Sequence, residues 1–359
     1  MSVRMIFIRT LLLWILAAVP AGAQWWTVQT SGIDTNLRGV SAVYAPDEKG
    51  RPVPVVWASG SNGVILRSID AGQTWQRLHV SGGDTLDFRG ILAFNEKAAY
   101  LMSSGEGEKS RIYKTTDGGE TWNLQYTGSR TEFFLDSIAC LSETHCLALS
   151  DPIDGKFFLL TTADGKHWNA LPNDKMPAAL PAEGAFAASN TCLLLSGEQI
   201  FFGTGGPAAR VFHSSDSGRS WDVAETPLVH GNASSGIFSI ASGDGKHVVI
   251  VGGDYQDSKR SSAVAAYSRD GGKTWQLSKR QPGGYRSAVA CDDDLLCVAI
   301  GPNGEDISGS GVSPAGWKPT DSLNLNAVTI LDFKHGWAVG PKGTIAVFVN
   351  ATSFEIKNY

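Results

Sequence analysis

The sequence predicts an all-β protein, a seven-bladed β-propeller with Asp-box repeats whose ring is closed by its own N-terminal strand. Three observations carry that prediction. A motif of the form Ser/Thr-x-Asp-x-Gly-x-Thr/Ser-Trp, the Asp-box, recurs around Asp70, Asp117, Asp164, Asp216 and Asp270. Its tryptophans, Trp75, Trp122, Trp168, Trp221 and Trp275, followed by Trp317, lie 47, 46, 53, 54 and 42 residues apart. A repeat of that length made of short strands and turns fits one four-stranded blade. Finally, 41 glycines, 11 tryptophans and only 18% charged residues describe a turn-dense chain with no long amphipathic helix.

The box itself is a hairpin-turn device. Its Asp side chain accepts nearby backbone N–H groups, its Gly supplies a positive φ, and its Trp opens the next strand with a large apolar face. Five copies of one turn argue for a structural part rather than five catalytic acids or calcium ligands. The copy at Asp164 is one residue short, and Ser313-Pro314-Ala315-Gly316-Trp317 reads as a worn sixth.

Taken in order, the seven inner strands are expected to begin at Leu37-Arg38-Gly39, Phe88-Arg89-Gly90, Leu135-Asp136-Ser137, Glu183-Gly184-Ala185, Gly236-Ile237-Phe238, Tyr285-Arg286-Ser287 and Leu325-Asn326-Ala327. The seventh repeat stops after Thr344–Phe348 with no box and no fourth strand. Trp25-Trp26-Thr27-Val28-Gln29 resembles the post-box strand of the other repeats and is expected to supply it. That closure leaves no long edge at the seam.

Residues 1–23 are expected to be a secretory signal. Arg4 and Arg9 precede an apolar run over 11–19, and Ala21-Gly22-Ala23 offers a cleavage site. The run is too short for a membrane span, so residues 24–359 are read as one propeller in the periplasm or outside the cell. Without Arg4 and Arg9 the formal net charge moves from −5 to −7, a poor match for nucleic acid. Cys140 and Cys146, and Cys291 and Cys297, each enclose five residues at the same place in their repeats. Cross-strand disulfides are the natural reading, with Cys192 left as a buried free thiol. No metal-ligand spacing, phosphate loop or Ser/His/Asp arrangement stands out, so no cofactor or metal is expected.

In this strand order the boxes and disulfides occupy one face, and the starts of the inner strands ring a central mouth on the other. Arg38, Arg89 and Arg286 hold equivalent positions there, with Asp136, Glu183 and Asn326 in other blades. The neighbouring loops add Asp151, Asp154, Asp254 and Tyr255, and Tyr285 precedes Arg286. Guanidinium groups converging on one point suit a carboxylate or phosphate. The alternative is that they pair with Asp136, Glu183 or Asp87 and merely fill the channel.

The Asp-boxes, the Trp26-to-Gly32 opening Trp-x-x-Gln-x-Ser-Gly, and inner strands beginning Arg-Gly-Val or Arg-Gly-Ile resemble the photosystem II stability/assembly factor family over essentially the whole mature chain. That resemblance implies a seven-bladed ring that assists protein assembly by binding, not by chemistry. Asp-boxes also occur in sialidases, which grip a sugar carboxylate with three Arg and use a Tyr nucleophile with a Glu. The Arg-Ile-Pro segment of those enzymes is missing, and they have six blades. The first reading is therefore a monomeric, non-catalytic binding or assembly factor recognising a protein or anionic ligand at the mouth. The other is a glycoside hydrolase acting on an acidic glycan.

Overall fold

A computed structural model describes residues 26–292, 296–309, 316–332 and 334–348. Their strands form seven antiparallel sheets, each the length of one repeat. Blade 1 runs from its inner strand Leu37–Pro46 through Pro52–Gly60 and Ile65–Ser68 to Gln76–Leu78. The inner strands of blades 2 to 7 are Asp87–Ala93, Leu135–Ser142, Leu193–Ser196, Asn232–Ala241, Ala288–Cys291 and Ala327–Asp332. Trp26–Thr30 pairs antiparallel with Thr344–Phe348, from Trp26 opposite Phe348 to Thr30 opposite Thr344, and completes blade 7. Trp26 packs edge-on to Phe348 at 5.3 Å and is 1% exposed, so the seam is a closed core contact. The expected leader at 1–23, and all of the worn box except Gly316 and Trp317, lie outside the described residues.

The Asp-box turn is held by a fixed set of bonds. In blade 1 the Ser68 hydroxyl donates to Asp70 Oδ1 (2.7 Å) and accepts the Gly72 N–H (2.8 Å). Asp70 also accepts the Thr74 N–H and hydroxyl at 2.9 and 2.6 Å. Gly72, at φ 85°, leaves no room for a side chain, because a Cβ would sit 2.8 Å from the Trp337 indole nitrogen of blade 7. The boxes at Asp117, Asp216 and Asp270 repeat these bonds. The Asp thus reaches an N–H four residues on. In the short box His167 replaces the Thr, its Nδ1 lying 2.6 Å from Asp164 Oδ2.

Apolar side chains fill the wedges between blades. Trp57, Phe88, Leu101 and Tyr113 join blades 1 and 2, and Phe157, Phe202, Phe212 and Trp221 join blades 3 and 4. Each fully buried Phe contributes about 1.5–3 kcal/mol. Cys140–Cys146 and Cys291–Cys297 are disulfides across the first hairpin of blades 3 and 6, and Cys192 is free and buried.

One blade departs from expectation. The inner strand of blade 4 begins at Leu193, not near Glu183. The ten residues before it form a lead-in segment that reaches into the central channel. The expected start at Glu183 matched the polar pattern of the other blades, but the true inner position is taken by Asn190-Thr191-Cys192.

Candidate functional site: the mouth of the ring

Four of the inner strands open with β-bulges, which leave one residue unpaired and turn its side chain out of the ladder. Register shifts fall between Leu37 and Gly39, Phe88 and Gly90, Leu135 and Ser137, and Ile237 and Ser239. The bulged residues are Arg38, Arg89, Asp136 and Phe238. The equivalence of the first three, legible in the sequence, is therefore a real geometric one.

The lead-in segment of blade 4 is pinned at both ends. At its start Glu183, whose side chain is fully buried, receives both Nε and Nη2 of Arg210, the Thr204 hydroxyl (2.6 Å) and the Leu180 N–H (2.8 Å). At its end Asn190, at φ 66°, zips onto blade 3. Its Oδ1 accepts the Ile138 N–H (2.8 Å) and its Nδ2 donates to the Ile138 carbonyl (3.1 Å). Gly90 makes space for it, since a Cβ there would lie 2.6 Å from Asn190 Oδ1. Between these anchors the Ala187 carbonyl accepts from Arg38 Nη2 (3.3 Å) and Arg89 Nη1 (3.0 Å). Two guanidinium groups from two blades thus meet at one backbone oxygen.

Their charges are balanced unequally. Arg89 donates through Nε to Asp87 (2.7 Å), which also accepts from Ser61 (2.8 Å). Among the described residues no carboxylate lies within ion-pair distance of Arg38, and its buried Nε has no acceptor. Burial, then the Arg89 charge, lower the Arg38 pKa from its ordinary value, against weaker support from Asp87 and Tyr285. An Arg in such a place still stays charged. Asp136 offers little relief. Burial, then Asp151, push its carboxyl well above the usual range despite the pull of Arg89. Burial raises Asp151 to about 6, against a hydrogen bond from the Ala185 N–H at 2.9 Å.

The other expected site residues are distributed differently. Arg286 is 1% exposed and held by Asp306 through Nε and Nη2, with Nη1 on the Tyr285 carbonyl (3.0 Å). It is a structural ion pair, so two arginines converge on the mouth, not three. Its partner Asp306 sits on a third strand, too far along the chain for sequence spacing to suggest it. Glu183 is spent on Arg210 as described. Asp154 forms an exposed ion pair with Arg130 (2.7 Å). Asp254 organises its loop by accepting from Ser234 (2.6 Å), Asn232 (3.0 Å) and the Gln256 N–H (2.9 Å). Asn326 bridges to Asn36 and the Leu37 carbonyl across the seam. Tyr285 is buried at the mouth, and Tyr255 stands half exposed beside it.

Three features escaped the sequence: the Ala187 carbonyl, the ring of Phe186 and the ring of Phe238. The 53-residue interval from Trp168 to Trp221, longer than the two before it, was the available sign of an inserted segment. On the outer side of that segment Asp151, Pro152, Gly155 and residues 179–184 line an open recess of about 560 Å³. Among the described residues no group of three or more His, Cys, Asp or Glu could hold a metal ion. No described helix is long and apolar enough to cross a membrane.

The architecture is that of a seven-bladed Asp-box propeller with a self-closing strand and two arginines meeting at its mouth. The family model described as photosynthesis system II assembly factor YCF48 matches residues 21–285, and the chain belongs to that family. The photosystem II assembly lipoprotein Ycf48 of Synechococcus sp. (strain CC9902) is 32% identical over 71 residues, 20% of each chain. The match thus spans about a fifth of that relative's length. Among solved structures, YCF48 bound to D1 peptide superposes with a TM-score of 0.62 at 14% identity, covering 90% of this chain and 97% of that one. The WD40 β-propeller domain of Doa1 superposes at 0.57 and 10% identity, covering 92% and 97%. At these identities the superpositions establish the ring.

Proposed function

We propose that this chain is an exported, non-catalytic assembly factor that binds an acidic segment of a partner protein at the mouth of its ring. One observation carries the reading: Arg38 points a charge with no carboxylate partner among the described residues at the same point as Arg89, in a chain whose formal net charge is −5. Holding two like charges together costs stability unless an anion offsets it. A partner carboxylate there would gain charge-assisted hydrogen bonds of about 1.5–3 kcal/mol each. Family membership and the relative solved with a bound peptide support a protein ligand. The two disulfides support an oxidising compartment outside the cytoplasm.

The glycoside hydrolase alternative is weakened by Glu183, whose two carboxyl oxygens are already occupied by Arg210, Thr204 and Leu180. Arg38→Ala tests the proposal. Binding of acidic peptides should weaken by about 1.5–3 kcal/mol while the melting temperature holds or rises. Unchanged binding with a marked fall in melting temperature would make Arg38 a purely structural residue.

A further inference from the structure

The bulge position that carries arginine in blades 1 and 2 carries Phe238 in blade 5. Phe186, from the same lead-in segment that presents Ala187 to the arginines, lies flat on Phe238 with ring centroids 3.8 Å apart and 8° between planes. Tyr285 meets Phe238 edge-on at 4.7 Å, and Tyr255 does so at 6.2 Å. Phe238 and Tyr285 are buried at 2% and 7% exposure, whereas Phe186 is half-buried and Tyr255 is 50% exposed. Two buried rings therefore brace two that reach solvent. The Tyr255 main chain is fixed too, its N–H bonded to the Ser234 carbonyl (3.2 Å) and the preceding Asp254 held by Ser234 and Asn232. Among the described residues no group hydrogen-bonds the hydroxyl of Tyr255 or Tyr285. Tyr285 also lies within the electrostatic reach of Arg38, which places the shelf beside the cationic half of the mouth.

We propose that this shelf of Phe186 and Tyr255 reads the residue next to the carboxylate, so that the mouth selects an extended peptide segment in which an acidic group adjoins an aromatic side chain. The inference rests on the peptide-binding reading above and narrows it to a class of sequence. The arginine pair beside the shelf argues for an occupant that is anionic at one end. The flat rings argue for one that is aromatic at the other, since rigid aromatic side chains concentrate binding energy at low entropic cost. A carboxylate could come from a side chain or from a chain terminus, and the shelf would accept either.

The test uses the full mature protein and labelled ten-residue peptides containing Asp-Phe, Asp-Ala or Asn-Phe, each with free and amidated C-termini. The parent should bind Asp-Phe about tenfold more tightly than Asp-Ala, the scale of one well-placed aromatic contact. Tyr255→Ser changes a half-exposed side chain and should fold. It should erase the Phe-over-Ala preference and leave the Asp-over-Asn preference intact, whereas Arg38→Ala should do the reverse. A parent without preference for Phe, or a preference that survives Tyr255→Ser, would overturn the shelf. Loss of the Phe preference in Tyr255→Ser with no effect of Arg38→Ala would keep the shelf and reject the arginine reading. Binding of glucuronate or sialic acid with no peptide bound would overturn both. Free-terminus peptides binding better than amidated ones would assign the carboxylate to a chain end, and parity would assign it to the side chain.

Discussion

Glu305→Gln should stabilise the protein, and by an amount that grows with pH. Glu305 is 1% exposed, and among the described residues neither carboxyl oxygen has a hydrogen-bond partner. The Trp26 indole of the closing strand faces it and weakly favours its charge, but falls short of hydrogen-bond geometry. Burial first, then the negative charge of Asp321, push its carboxyl up to about 8, against the pull of Arg286. The native state therefore holds a proton that the unfolded chain has released. A group with a raised native pKa favours folding at low pH and loses that contribution as pH rises from its unfolded value to its folded one. Here the window runs from about 4.5 to about 8. At about 1.4 kcal/mol per pH unit, this residue alone should remove about 3 kcal/mol between pH 5 and pH 8. Gln keeps the shape and does not titrate. Thermal melts of parent and variant from pH 5 to pH 8 should show a gap that widens in the variant's favour, on the order of 5 °C at the upper end. Asp136 and Asp151 titrate abnormally in both proteins, so the difference isolates Glu305. A gap that stays constant, or a variant equally destabilised at every pH, would show that the carboxylate is ionised in the fold and held by Arg286.

Two further outcomes follow from the charged and sulfur groups. Arg286→Met would leave Asp306 buried without its cation and should cost about 3–5 kcal/mol, and adding Asp306→Leu should restore much of that loss; melts of the single and double variants check it. Alkylation of the unreduced protein should label nothing when folded and a single thiol, Cys192, when unfolded; mass spectrometry finding five labelled cysteines would refute the disulfide pattern.

The fold was legible because its signal is local. Ser68, Asp70, Gly72 and Thr74 satisfy one another within a single turn, so the pattern survives in any copy that keeps four residue types. The seam was legible for a related reason, since Trp26 to Gln29 repeats the form of other fourth strands. The mouth was legible only in part. Arg38, Arg89 and Asp136 declare themselves by equivalent position. What each bonds to is decided by residues far away: Ala187 lies 149 positions from Arg38, and Asp306 lies 20 from Arg286. Glu183 misled for the same reason. It looks like one more polar residue opening an inner strand, yet it anchors the lead-in segment that precedes Leu193.

That segment explains why the mouth is built as it is. A channel lined by inner strands of seven blades would ordinarily be closed by small side chains, as Ser189, Thr191, Ser239 and Ser287 do lower down, hydrogen-bonded across blades 4, 5 and 6. Nothing in that packing calls for cations. Arg210, Arg286 and Arg89 are each given a carboxylate: Glu183, Asp306 and Asp87. Arg38 is the exception at the mouth, and the lead-in segment gives it a neutral carbonyl, which positions the guanidinium without cancelling its charge. Asp136, the carboxyl group at the equivalent bulge in blade 3, makes no ion pair with it among the described residues, and burial raises its pKa, which disfavours the charged form. The Ala187 carbonyl orients two guanidinium groups and the same segment carries the Phe186 ring, so on the proposed reading the site is organised ahead of its ligand. Preorganisation of that kind lowers the ordering cost of binding.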